Sequence, residues 1–266
     1  MSFFDHLEDL RWHLIRSIAV IMAGGILSFV FISNIYNVVI LGPTRNNFIT
    51  FRILCHIDQY FHLGHRLCMQ AMHIHFQNME VSGQFMLSIT SAMLIGLIVA
   101  VPFVLWEFWN FIKPALKPNE IKYTRGVVFW SSLLFFIGVC FAYFCIVPYA
   151  MSFFSSYKIS NQFQNIFTIQ SYLDMVTQLV IGLGCIFELP ILVFFLTKVG
   201  LLTPTLLKTY RRHAIVVIVV LAAFIAPPDF LSQIIVSLPL YLLYEISIGI
   251  SGKVLRQKEK TENKWV

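Results

Sequence analysis

The sequence predicts an all-α membrane protein with six transmembrane helices and both termini on the inner side. Three observations predict it. The chain is 58% hydrophobic and only 12% charged, where a soluble domain carries about 25% charged residues. Its apolar residues gather in runs, most of them near the ~20 residues that a spanning helix needs. Basic residues collect in alternate connections: of the 19 lysines and arginines, only Arg45, Arg52, Arg66 and Lys158 fall on the outer side of a chain whose N-terminus lies inside. That bias orients a membrane protein. The formal charge of +6 therefore answers to lipid, and no nucleic-acid partner is expected.

The elements follow in order. In residues 2–13, Phe3, Leu7, Leu10 and Leu14 recur at spacings of four, three and four, one stripe of a helix. Asp5, Glu8 and Asp9 occupy the other side, so an interfacial helix lying on the membrane is expected. No apolar signal-peptide core precedes it. Insertion is then expected to rest on the first span, about Ser17 to Ile35. Residues 37–84 form a long outer loop containing Pro43. Further apolar runs cover Phe85–Trp106, Val127–Val147, Tyr172–Leu196, Ala214–Ala226 and Phe230–Ile250. The fifth run is too short for a ~30 Å hydrocarbon layer at about 1.5 Å per residue, so the bilayer beside it is expected to thin. Pro102, Pro190 and Pro239 fall inside spans, where kinks are tolerated. The membrane domain thus covers residues 1–252. A charged tail over 253–266 is expected to be disordered.

Several groups could carry function. Glu188 lies past the middle of the fourth run, two residues before Pro190. A charge at that depth costs roughly 2.5–3.5 kcal/mol on insertion scales, so it marks a partner, a water-filled cavity or a substrate path, or else a protonated packing group. The outer loop holds Cys55 and Cys68 with His56, His62, His65, His73 and His75. Their spacings match no zinc pattern, so no metal is expected. The two cysteines could close a disulfide in an oxidising compartment. On the inner face, Asp9 and Glu120 sit among basic residues. They are either solvated ion pairs or two acids facing a cationic ligand, for which an arginine fork suits a carboxylate. No H-E-x-x-H, G-x-S-x-G, Walker-type or C-x-x-C pattern occurs, so neither an enzyme nor a cofactor is expected.

Several motifs in order resemble one family. HLEDLR at His6–Arg11, FWNFIKPALKPNE at Phe108–Glu120, FAYFCIVP at Phe141–Pro148, IFELPI at Ile186–Ile191 and APPDFLSQ at Ala226–Gln233 look like the TatC component of the twin-arginine translocase. The resemblance runs from residue 6 to about residue 250. It implies a cupped, concave arrangement of six helices with two short final ones, in the cytoplasmic (inner) membrane. It also implies a receptor for the paired-arginine signal peptides of folded precursors, with export driven by the proton-motive force. Asp9, Leu10, Arg11, Phe111, Pro114 and Glu120 fall on its signal-peptide motifs. Asp9 stands where the family commonly has glutamate. Glu188 falls on its intramembrane polar site. Asp229, Gln233 and Glu245 fall where single-span TatA- and TatB-type partners dock, and self-association is implied as well. Two other classes compete: a proton-coupled small-solute carrier using Glu188, and a membrane thiol redox protein using Cys55 and Cys68.

Overall fold

A computed structural model of the protein describes residues 3–45, 47–61, 76–115, 126–160, 165–226 and 230–262. Its helices are α1 (Phe3–Val30), α2 (Ile32–Ile35), α3 (Ile49–Phe61), α4 (Gly83–Ile112), α5 (Val127–Phe141), α6 (Val147–Ser156), α7 (Ile169–Ile186), α8 (Leu189–Val199), α9 (Pro204–Thr209), α10 (Arg211–Ile225) and α11 (Phe230–Glu262). Two short strands, β1 (Phe76–Gln77) and β2 (Phe167–Thr168), accompany them. Among the described residues, five helical stretches are long and apolar enough to cross a bilayer: Leu7–Val30, Gly83–Ile112, Val127–Ser156, Ile169–Val199 and Ser232–Arg256. The predicted fifth crossing is α10, whose 15 residues reach only about 22 Å at 1.5 Å per residue. Large apolar side chains such as Ile26, Leu27, Phe129 and Phe224 stand exposed on these helices, as a lipid-facing surface requires.

The chain divides into two compact units, Met1–Leu133 with Met151–Thr177, and Leu134–Ala150 with Gln178–Val266. In the first, α1 lies along α4. The separate interfacial helix expected over residues 2–13 is instead the opening of α1, which continues unbroken to Val30. No proline or turn residue intervenes between His13 and Ser17, and α4 offers one continuous surface to pack on. The two helices touch backbone to backbone. A Cβ added at Gly96 would fall 2.7 Å from the Cα of Gly25, and one at Gly24 would fall 3.1 Å from the Gly96 carbonyl oxygen. Small residues let membrane helices approach this closely, which is how dispersion replaces the missing hydrophobic drive.

The connection over 37–84, expected to be a long outer loop, carries regular structure in its described residues. A wide π-type turn over Tyr36–Ile40 and the helix α3 occupy its first half. Its end returns as β1, which pairs in parallel with β2, Phe76 opposite Phe167. Tyr172 packs its ring 5.1 Å from that of Phe76 and donates its hydroxyl to the Ile40 carbonyl at 2.6 Å. One buried side chain thus ties the turn after α2, the strand pair and the start of α7 together.

In the second unit, a π-type turn over Ala142–Ile146 joins α5 to α6. Pro148 lacks the N–H that would continue the regular ladder, and a widened turn accommodates that loss. The predicted span Tyr172–Leu196 is two helices, α7 and α8, broken at Phe187–Glu188. Pro190 explains the break, because it cannot donate to the Ile186 carbonyl and its ring crowds that group. The helix α8 ends on Gly200 at φ +91°, a left-handed cap that glycine takes without penalty. Thr203 then starts α9 by accepting a bond from the Leu206 N–H at 3.2 Å, ahead of Pro204 at the first helical position. Val193, Leu207 and Ile248 form the core that joins α8, α9 and α11, with Leu202 and Tyr244 packed against it. Thr197 donates to Ser251 at 2.9 Å within the same contact. The tail expected to be disordered after Gly252 instead extends α11 to Glu262. Its Lys, Arg, Gln and Glu residues are good helix formers, and they continue a helix already nucleated.

Candidate functional site

The first cluster lies where the N-terminal end of α1 meets the C-terminal end of α4. Asp9, Leu10 and Arg11 are exposed on α1. One turn further, His13 Nδ1 bonds the Glu107 carboxylate. Glu107 is only 2% exposed, and Arg16 Nη1 stands 4.0 Å from the same oxygen. A buried carboxylate is tolerated only when paired, and α1 supplies the pairing. The His13 ring also meets Phe111 edge-on, with centroids 6.2 Å apart. Phe111 is half-buried on the last turn of α4, and Pro114 is exposed on the 3₁₀ turn that follows. The structure thus brings together the α1 segment carrying Asp9 and the α4 segment carrying Phe111. Glu120 lies outside the described residues.

Sequence reasoning missed His13, Arg16 and Glu107. A histidine on an amphipathic helix and a glutamate at the end of an apolar run each read as interfacial. Nothing in the local pattern joins two residues 94 positions apart.

Glu188 occupies the break between α7 and α8 and is partly buried. Its carbonyl accepts the Ile191 and Leu192 N–H groups at 3.0 Å each, starting α8. The carboxylate was visible in the sequence, two residues before a proline inside an apolar run.

A third feature lies between α10 and α11. Ile215, Ile218, Val219, Phe230, Ile234 and Leu238 line a groove of about 430 Å³. Gln233, Ser237 and Tyr241 supply its polar groups. Gln233 donates to the Val219 carbonyl at 3.3 Å across the pair. Towards the other end of α11, Glu245 accepts from Arg211 Nη2 at 2.8 Å and from the Tyr241 hydroxyl at 3.0 Å. Gln233 and Glu245 thus sit on the predicted helix, and Arg211 and Tyr241 join them. Asp229 lies outside the described residues.

Cys55, on α3, is disulfide-bonded, whereas Cys140, Cys145 and Cys185 are free. Cys68 lies outside the described residues, as do His62, His65, His73 and His75. Among the described residues no group of three or more His, Cys, Asp or Glu side chains could hold a metal ion.

Long apolar helices, one broken at a carboxylate and a proline, define a multi-pass membrane protein. Comparison with known proteins gives the family. The model for "Sec-independent protein translocase protein (TatC)" matches residues 5–239, and the chain belongs to the TatC family. It is 36% identical to the TatC protein of Blattabacterium sp. subsp. Periplaneta americana (strain BPLAN), over 97% of each chain. It is 30% identical to that of Aquifex aeolicus (strain VF5), over 98% of each. A crystal structure titled as the twin-arginine translocase receptor TatC in DDM superposes with a TM-score of 0.71 at 30% identity, covering 92% of this chain and 99% of that one. The chain is therefore a protein-translocase component and not an enzyme. The small-solute carrier and the thiol redox protein belong to other classes.

Proposed function

We propose that this chain is the receptor subunit of a twin-arginine translocase in the cytoplasmic (inner) membrane. It crosses the bilayer six times, with α10 as the short fifth crossing and both termini cytosolic. Asp9 and Glu120 receive the two arginines of a signal peptide, and Leu10, Arg11, Phe111 and Pro114 shape the surface around them. The observation that carries this reading is the packing of α1 on α4 through His13, which sets exposed Asp9 beside the α4 segment that leads through Phe111 and Pro114 towards Glu120. Arginine suits such a pair because its planar fork donates two parallel bonds to a carboxylate.

Glu188 faces the apolar segment of the signal or the moving cargo. The groove between α10 and α11, with Asp229, Gln233 and Glu245, docks single-span TatA- and TatB-type helices, and copies of the subunit associate. The Cys55 disulfide is with Cys68 and braces the outer loop.

The test is site-specific crosslinking of a twin-arginine precursor to inverted membrane vesicles. A hydrogen bond to a charged group contributes about 1.5–3 kcal/mol, roughly 10- to 150-fold in affinity. Glu120→Ala and Asp9→Ala should each remove the crosslink while the protein still inserts. Unchanged crosslinking by both variants would end the receptor reading.

A further inference from the structure

Beyond the acids that would meet a signal peptide, we infer that His13 and Glu107 form a positioning clamp that holds that surface in register. The inference rests on the receptor reading above. Asp9 precedes His13 by four residues, and Phe111 follows Glu107 by four. On a helix, residues four apart share a face, so Asp9 stands one turn beyond His13 and Phe111 one turn beyond Glu107. The pair thus bonds α1 to α4 about one turn short of the proposed peptide surface. His13 also braces that surface directly, with its ring edge-on to Phe111. Burial makes the bond specific. Glu107 is 2% exposed, so its carboxylate cannot exchange His13 for bulk water, and Arg16 at 4.0 Å adds charge on the same oxygen. Below this level the helices are held by the Gly24, Gly25 and Gly96 contact. That contact fixes their distance but, lacking side chains, not the splay of their ends. A site that must place two carboxylates for two arginines needs that splay fixed, because orientation within a few tenths of an ångström governs bidentate bonds.

The bond is made by Nδ1, and this gives an atom-level test. Asn places an amide donor near the Nδ1 position, and Gln places it near Nε2. We would measure the affinity of a fluorescent twin-arginine peptide for the purified full chain in detergent, with thermal stability recorded in parallel. His13→Ala and His13→Gln should weaken binding about tenfold (~1.4 kcal/mol). His13→Asn and Glu107→Gln, which keep a donor and an acceptor in place, should stay within about twofold. Asp9→Ala is the control on the receptor reading. If it and Glu120→Ala both bind like the wild type, that reading fails. If it weakens binding while His13→Gln does not, only the clamp fails. Equal effects of Asn and Gln at position 13, whether both bind or both fail, would overturn the clamp, as would Glu107→Gln binding as poorly as Glu107→Ala.

A second readout needs no peptide. In a background lacking Cys140, Cys145 and Cys185, spin labels at Leu10 and Pro114 should report one narrow distance in the wild type and in His13→Asn. The distribution should broaden in His13→Gln. An unchanged distribution in His13→Gln would sink the inference even if peptide binding fell.

Discussion

Replacing Gly96 by alanine should destabilise the protein more than the same change at either glycine it faces. The new Cβ would fall 2.7 Å from the Cα of Gly25 and 2.8 Å from the carbonyl carbon of Gly24. Both are backbone atoms, so nothing can swing aside and α1 must back away from α4 by a good part of an ångström. A gap of 0.5–1 Å already forfeits a quarter to a half of each dispersion contact, and overpacking typically costs ~1–3 kcal/mol. Alanine returns about 1 kcal/mol in helix propensity, which leaves a net loss of up to about 2 kcal/mol. Gly25→Ala meets the Met93 sulfur at 2.8 Å, the end of a flexible chain that can turn away, so its net effect should be near zero. Gly24→Ala meets Gly96 backbone at 3.1 and 3.2 Å and should fall between. Gly249 has nothing within 4 Å of an added Cβ, so alanine there should stabilise slightly. The assay is thermal unfolding of the detergent-solubilised protein, read by gel filtration after heating. A Gly96→Ala variant as stable as Gly249→Ala would refute the backbone contact between α1 and α4.

Three further outcomes follow. Tyr172→Phe leaves the Ile40 carbonyl without the donor it now has at 2.6 Å, and the same unfolding assay should show a loss of about 1–3 kcal/mol. Reductant should lower the unfolding temperature through the Cys55 disulfide, since closing a loop of ~15 residues stabilises by about 3 kcal/mol. A Cys55→Ser protein should already be at the lower temperature and should not respond. Arg211→Ala should cost under about 1 kcal/mol, because an ion pair this exposed is screened; side-chain exposures of 45% and 29% and a double-variant cycle with Glu245→Gln give the check.

The five long apolar helices were legible because a membrane helix is written in composition over ~20 residues, and no tertiary contact overrides that signal. Glu188 was legible for the same reason: a single charge stands out against Leu, Ile and Phe. What stayed hidden depends on contacts distant in sequence. The amphipathic stripe of residues 2–13 fits both a surface helix and the first turns of a span, and the choice was made by α4, not by the stripe. The strand pair joins Phe76–Gln77 to Phe167–Thr168, two residues on each side, far too few to leave an alternating pattern. The helix α3 sits in a polar loop, where its apolar residues were too few to suggest a span. His13 and Glu107 were hidden most completely, since each alone has an ordinary explanation and only the α1–α4 packing makes them a pair.

Carboxylates in an apolar protein can be sorted by what the fold does with them. Glu107 is matched by His13 and Glu245 by Arg211 and Tyr241, so both carry packing duties between helices. Glu188 differs. It begins α8 at the N-cap position, yet its side chain makes no capping bond, and the break it occupies is dictated by Pro190. The local backbone therefore does not require a carboxylate there, although one at mid-span costs about 2.5–3.5 kcal/mol on insertion scales. If Glu188 serves transport as proposed, Glu188→Gln should keep the thermal transition within about 1 kcal/mol of the wild type and should keep precursor crosslinking. Export of a folded precursor by cells carrying it should fall. If the variant unfolds early while residual export scales with the protein that survives, Glu188 belongs with Glu107 and Glu245 as a packing group.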